Sequence, residues 1–418
     1  MTESVAVIGA GVSGLTAAYL LARRYDVTLF EAEPRLGGHA HTHDVTDPAG
    51  RRLAIDTGFI VHNTRTYPLL RKLFAELSVR TRPTEMSMSI SDPASGLEFA
   101  GGRGAAGVFA QRRRVVDPRF LRLLGEIRRF HRRAAGYLAR TGDDDLTTLD
   151  EFLEAERFSP AFVRQYAVPV VSCVWSCGGS SALTYPARYL FRFLDHHGML
   201  SVSGSPQWLT VTGGSRQYVD ALSDRVGTVR THRPVRAVQR HPDGVTVTVA
   251  DGPDGSVSDF DRVVLATHAD QALDLLADAS PAEKTALGPF EYSRNTAVLH
   301  TDTSLLPATK NARSSWNYII GSGAPLTTYW MNRLQGLETD ETYLVTLNGA
   351  TTVDPAKVIE RIDYQHPVYT PKAVAAQSRL TALNTGRIAF AGAYHGWGFH
   401  EDGCRAGVAA AESFGVRW

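Results

Sequence analysis

The sequence predicts an α/β protein, α+β overall, in which a Rossmann-like domain is interrupted by a second domain of mixed sheet and helices. Three observations carry this. The chain opens on a β-branched apolar run, Val5 to Ile8, that passes through Gly9-Ala10-Gly11-Val12-Ser13-Gly14 into the Ala/Leu-rich stretch Leu15 to Arg24, the pattern of strand, tight turn and helix. Two more apolar runs of the kind buried on both faces of a parallel sheet, Asp261 to Thr267 and Arg387 to Ala393, lie far downstream. The segments between them alternate with period two or recur at helical spacing, and so belong to other layers.

From the N-terminus, each element has a physical reason. Gly9 permits a sharp turn, Gly11 lets backbone approach a pyrophosphate, and Gly14 lets the helix pack on the strand. The first helical turn, with Val12 and Ser13, offers unpaired N–H groups and a partial positive charge to an anion. Asp26 to Phe30 reads as a second buried strand that delivers Glu31, followed by Ala32, to the position where a carboxylate accepts the hydrogen bonds of a ribose. An acid there disfavours a 2'-phosphate. NADP is thereby disfavoured, and NAD or FAD remains.

Past Glu31 the chain continues through Arg35-Leu36-Gly37-Gly38-His39 and, after a strand, Ile55-Asp56-Thr57-Gly58-Phe59. In this pattern of acid, short spacer, Gly-Gly and later Asp-x-Gly, the sequence resembles the flavin amine oxidase superfamily, which includes monoamine and polyamine oxidases, carotenoid desaturases and fatty-acid isomerases. The resemblance implies an FAD-binding domain of the glutathione-reductase/amine-oxidase type, with Gly37, Gly38, His39, Thr57, Gly58 and Phe59 joining the glycine turn around the cofactor. No cysteine stands where monoamine oxidases attach flavin, so the implied FAD is non-covalent. Gly58-Phe59-Ile60-Val61-His62-Asn63 further resembles a bacterial subgroup often encoded beside cyclopropane-fatty-acid-synthase-like methyltransferases.

Composition bounds the rest. With 418 residues, 43% hydrophobic, 21% charged and a net charge of +1, the chain supports two domains with real cores and is no nucleic-acid binder by bulk charge. No secretory signal or transmembrane run is read, and three cysteines (Cys173, Cys177, Cys404) suit a reducing cytoplasm better than a disulfide framework. Cys173 and Cys177 stand one helical turn apart, as buried thiols or as a redox pair. His39, His41 and His43 alternate as on one face of a strand, but no cysteine or carboxylate set completes a sphere, so no metal is expected.

The domain division expected is 1–80, 208–290 and 384–418 for the FAD-binding domain and 81–207 with 291–383 for the substrate domain, helical over about 111–200. Met86 to Ile90 alternates as a strand of a second sheet. Residues 111–140 hold ten arginines against Asp117 and Glu126, a local balance of +8, with Phe120, Leu123, Leu124, Ile127 and Phe130 at helical spacing. This basic amphipathic helix is read either as a solvated face on a core-packed helix or as a peripheral membrane contact. Thr212-Gly213-Gly214-Ser215 resembles the Gly-Gly segment the superfamily places beside its flavin. By the same resemblance backbone at Val235 or a neighbour contacts the adenine, in a hairpin turning at His241 to Gly244, and Ala266 ends a parallel strand at the cofactor.

Asn295 to His300 and Ala324 to Trp330 alternate as strands, with Ser315 to Tyr318 between them, and would floor a substrate cavity. Many amine oxidases carry a lysine near the start of such a strand; here Asn295 and Thr296 stand there, and Lys310 is the nearest lysine. The C-terminal segment resembles the superfamily's: a strand reaching Gly392, then a helix holding Gly403 and Ala406 whose N-terminus is implied to face the flavin. Between them Tyr394-His395-Gly396-Trp397-Gly398-Phe399-His400 supplies the residues implied over the flavin ring. His395 or His400 is the expected proton carrier, with Tyr394 beside them, and Trp316, Tyr318, Trp397 and Phe399 are expected to shape an apolar channel. The expected function is hydride removal from a fatty-acyl lipid. Double-bond isomerisation, amine oxidation, or a flavin-bearing scaffold for a partner methyltransferase are the alternatives.

Overall fold

Ser4–Ile8 is the central strand of a five-stranded parallel sheet, flanked by Asp26–Phe30 and Thr228–Arg230 on one side and by Arg262–Leu265 and Ile388–Phe390 on the other. The computed structural model describes residues 2–201, 204–250, 255–321 and 326–418. Val5, Ala6 and Val7 are fully buried, as a central parallel strand covered on both faces requires. Gly9, Glu31, Ala266 and Gly392 all follow the carboxyl ends of these strands and so share one edge, where open α/β sheets bind ligands. Helix Val12–Leu21 packs against the C-terminal helix His400–Ser413. A Cβ on Gly407 would come within 2.4 Å of the Ser13 carbonyl oxygen, and one on Gly403 within 2.7 Å of Val12 Cγ1; the crossing is close because these positions are glycine.

The second sheet has seven strands in the order Val358–Val368, Glu291–His300, Leu344–Leu347, Leu326–Trp330, Trp316–Ile319, Met88–Asp92 and Leu97–Gly101. It is antiparallel except where Trp316–Ile319 pairs with Met88–Asp92. The expected strand start at Ala324 lies outside the described residues. The region expected to be helical is a set of separate helices, including Pro118–Arg140, Leu149–Ala155, Val168–Trp175 and Ala187–His196, with a π-helical stretch at Val163–Ala167. Phe130 is the hub of their core: Phe152, Phe158, Phe162 and Phe191 all lie within 6.3 Å of its ring, centroid to centroid. The Pro118–Arg140 helix turns Phe120, Leu123, Phe130 and Ala134 inward. No helix among the described residues is long and apolar enough to cross a membrane.

Asp56 ties the two sheets' surroundings together. Its buried carboxylate accepts from Thr42 Oγ1 (2.6 Å), Ser215 N (2.9 Å) and Oγ (2.7 Å), and Gln335 Nε2 (3.0 Å). Gly214, at φ +87°, lies against Thr42, where a Cβ would come within 2.5 Å of the threonine methyl. Gly214 therefore serves this clamp, and neither Gly213 nor Gly214 lines the cofactor cavity, a correction to the expectation that they lie beside the flavin.

Candidate functional site

A single continuous cavity of about 2030 Å³ runs from the glycine turn, past the C-terminal segment, into the helical part. That is about twice the upper end for a single small-ligand pocket, room for a dinucleotide and a substrate together. At one end, Gly9 adopts φ +98°, and a Cβ there would come within 2.7 Å of Ala266 O. A Cβ on Gly14 would come within 1.8 Å of Gly9 O, whereas one on Gly11 would meet nothing within 4 Å. The glycine that must admit an anion faces open space, and the one that must pack is packed. Helix Val12–Leu21 has Gly11 as N-cap with no side-chain cap, leaving its first N–H groups for a ligand.

Gly37 donates from its N–H to Ala10 O at 2.8 Å, and Gly38 lies against Gly11. Glu31 accepts from Ala10 N (2.8 Å) and Glu33 N (3.0 Å) and lines the cavity. Ala32, Val235, Ala266, Thr57, Gly58, Phe59 and Gly392 line it too. Gly14, Gly403 and Ala406 do not line it: Gly14 packs on Gly9 and Ala266, Gly403 packs on Val12 and Ser13 of the crossing helix, and Ala406 is buried.

Histidines crowd the middle of the cavity, and chain separation hid their meeting. His39 stacks on Tyr364 (4.9 Å between centroids) and meets the edge of His366 (5.2 Å), while His268 stacks on Tyr292 at 4.2 Å. His366 Nδ1 is held by Asn295 Nδ2 at 3.0 Å, so the position expected to differ from a lysine carries an amide that orients a cavity imidazole. Burial and mutual repulsion hold His39 well below the ordinary histidine range, and burial brings His366 to about 4. His41 and His43 form a separate pair with centroids 4.1 Å apart, a correction to the expectation that all three histidines share one face. The alternation Ile362, Tyr364, His366 along Val358–Val368 is the sequence signal that goes with this cluster, but no motif names it, so the sequence alone does not single it out.

In the C-terminal segment, Tyr394, Trp397, Phe399 and His400 line the cavity; His395 does not. The short 3-10 turn Ala393–His395 turns consecutive side chains apart, so Tyr394 faces the cavity and His395 lies behind it. His400 stacks on Phe59 (3.8 Å, 17°), and its Nε2 lies 3.1 Å from Tyr218 Oη. Burial, with His62 nearby, pushes it down to about 3, a neutral ring. Phe399 stacks on Phe193 at 4.8 Å. Glu401 and Asp402, in the first turn of the last helix, are both buried and engaged: Glu401 accepts from Leu69 N and Leu70 N, Asp402 from Phe399 N.

Trp316 lines the cavity, but Tyr318, on the same face of its strand, does not. Helix Val168–Trp175 covers that end: Cys173 Sγ lies 3.7 Å from Thr327 Oγ1, and Thr327 is the strand partner of Tyr318. Cys173, Cys177 and Cys404 are free and buried, and burial pushes each thiol up to about 12, which removes the thiolate a redox pair needs.

Four cavity-lining polar atoms have no hydrogen-bond partner among the described residues: His39 Nε2, His43 Nε2, His268 Nδ1 and Tyr394 Oη. Buried polar groups are nearly always paired, so such atoms around one cavity fit a ligand that supplies the partners. With the anion-ready helix end, the open face of Gly11 and Glu31 on one edge of the sheet, the residues suit FAD.

Fold and cavity thus define a dinucleotide-binding flavoprotein with a second, cavity-forming sheet. Residues 12–298 match the family described as flavin containing amine oxidoreductase, and the chain belongs to that family. It is 28% identical over 262 residues to AofH of Mycobacterium tuberculosis, provisionally named a flavin-containing monoamine oxidase, covering 60% of this chain and 54% of that protein. It is equally similar, 28% over 272 residues, to the flavin-dependent L-tryptophan oxidase RebO of Lentzea aerocolonigenes, covering 60% of this chain and 55% of the relative. The chain spans about half the length of these curated relatives. Among solved structures, cyclohexylamine oxidase from Brevibacterium oxydans superposes with TM-score 0.72 at 16% identity, covering 99% of this chain and 98% of that one. The CLA-producing fatty acid isomerase from P. acnes superposes with TM-score 0.68 at 15% identity, covering 97% of each chain.

Proposed function

We propose that this flavoprotein oxidises a hydrophobic, chain-like substrate, a fatty-acyl group, by removal of hydride. The observation that carries the reading is the cavity's arm in the helical part. Met88, Ile90, Phe99, Leu124, Ile127, Phe130, Val170, Val174, Phe193 and Leu194 line it, and no Asp or Glu lies among its described lining residues between 88 and 201. An apolar chain gains roughly 0.8 kcal/mol per buried methylene on such a surface, whereas a protonated amine buried there would lack a counter-charge.

Bound FAD supplies the hydride acceptor. The chain's own residues exclude water, align the acyl chain and manage protons. Tyr394, kept protonated by burial, donates its unpartnered hydroxyl to the substrate side of the cavity. His400, neutral and within hydrogen-bonding distance of Tyr218, is the proton acceptor. A ring held near 3 accepts a proton only transiently. Arg128, exposed at the cavity lining with no hydrogen bond or ion pair among the described residues, suits an anionic end of the same substrate.

The test is an anaerobic absorbance titration with phospholipids bearing unsaturated or methyl-branched chains. Bleaching of the flavin band with loss of hydrogens from the lipid supports the dehydrogenase reading. A moved double bond with an unchanged band would make the protein an isomerase, a second reading supported by the shared apolar cavity and the fold likeness to a fatty acid isomerase. No change in lipid or band, with bleaching by amines instead, would overturn the lipid substrate. A scaffold that serves a partner methyltransferase predicts that Tyr394→Phe and His400→Ala leave lipid conversion intact.

A further inference from the structure

We propose that residues 112–128 form a docking surface for an anionic membrane, placed at the mouth of the cavity's apolar arm. The described chain exposes few large hydrophobic side chains, and three of them fall within seven residues: Val115 (49% exposed), Val116 (80%) and Leu121 (44%). Around them Arg112, Arg113, Arg119, Arg122 and Arg128 are exposed, and none of their guanidinium groups makes a hydrogen bond or ion pair with another described residue. The two acids of the stretch are already engaged. Asp117 pairs with Arg114 at 2.5 Å, and Glu126 accepts from Ser159 N and Oγ at 3.0 and 2.6 Å. Five uncompensated guanidinium groups therefore surround an exposed aliphatic tip.

That combination selects its partner. A solvated arginine face needs no exposed aliphatic residues, and an acidic protein partner would not favour valine and leucine at the centre without an aromatic or a polar anchor. A bilayer with anionic headgroups satisfies both parts: guanidinium groups meet phosphates, and the aliphatic tip enters the boundary between headgroups and chains. The apolar stripe expected to insert does not take part, because Phe120, Leu123 and Phe130 are buried in the protein's own core. The same helix connects the patch to the cavity, since Leu124, Ile127 and Arg128 line it. Docking there sets the cavity's apolar arm beside a source of acyl chains.

This inference goes beyond the substrate reading and is tested without turnover. Flavin-loaded protein is sedimented with vesicles of phosphatidylcholine alone or of phosphatidylcholine with phosphatidylglycerol. The expected result is binding to the anionic vesicles only, weakened about five-fold for each of R112Q, R113Q, R119Q and R122Q, and at least ten-fold by V116D/L121D. All six positions are exposed, and unchanged flavin content and melting temperature verify that the variants are folded. A Val116→Trp variant should shift its emission to the blue on anionic vesicles. Absence of sedimentation with either vesicle overturns the proposal. So does binding that V116D/L121D leaves unchanged, or binding to soluble polyglutamate in place of vesicles, which would assign the patch to an acidic protein.

Discussion

Asp56 shows how much one side chain decides. Its carboxylate holds three segments distant in sequence, and desolvation pushes its pKa up to about 6 against the lowering effect of Thr42 and Ser215. Asp56→Ala leaves the Ser215 N–H and the Thr42 hydroxyl without their acceptor, and the expected cost is roughly 3 kcal/mol of stability, measured by thermal melting. Glu31 is placed to work twice, clamping the loop through Ala10 N and Glu33 N and facing the cavity. Glu31→Ala should lower the affinity for FAD by roughly ten- to a hundred-fold, the equivalent of one charged hydrogen bond; the ratio of flavin to protein absorbance after purification measures it. His62 is a different case. Both ring nitrogens are buried without a partner among the described residues, and Phe74 meets the ring edge-on at 5.3 Å. His62→Phe should therefore raise the melting temperature at pH 6, because a phenyl ring needs neither hydrogen bond nor proton.

Among the elements, the crossing of Val12–Leu21 with His400–Ser413 is the most constrained, since it joins the glycine turn to the cavity's aromatic segment. Gly407→Val drives a branched side chain toward Ser13 O, already 2.4 Å from the first added carbon. The helices must then separate, at a cost of roughly 3 kcal/mol; the prediction is a protein recovered without flavin, checked by absorbance and circular dichroism. Gly11→Ala is the control, because its Cβ meets no protein atom, so any loss of cofactor there reports the ligand's own approach. The Pro118–Arg140 helix was legible as basic and amphipathic, and its arginine face is where a periodicity argument puts it. Which of its faces meets core, cavity or solvent depends on the aromatic cluster around Phe130, which no local pattern encodes.

Across the whole molecule, buried histidines set the response to acid. Burial pushes His62, His197, His300, His366 and His395 to about 4, and His41 and His400 to about 3. The unfolded chain takes up these protons near pH 6.5, so between about 6.5 and 4 it binds more protons than the folded one and stability falls as the pH falls. Asp56 and Glu401, pushed up to about 6 and about 7, act in the opposite direction, as do Asp220 and Asp402, which burial also raises, but the histidines outnumber them. The melting temperature is expected to drop between pH 6.5 and 4.5; a flat profile would contradict the neutral, buried state of these rings.

Local chemistry by itself determined the first strand, its glycine turn and helix, the acid at Glu31, the later parallel strands and the division into two kinds of sheet. Each follows from a periodicity or a backbone requirement confined to a few neighbouring residues. The tertiary structure alone decided which side chains meet. His39, His268 and His366 converge because a loop, a strand end and a strand of the second sheet, far apart in the chain, meet at one cavity. Asp56 became a clamp because Thr42, Ser215 and Gln335 arrive around it. His395 lies behind Tyr394 because a tight turn separates neighbours, and Tyr318 is covered because a helix crosses one end of its strand. Periodicity assigns a residue to a face; only packing determines what lies opposite that face.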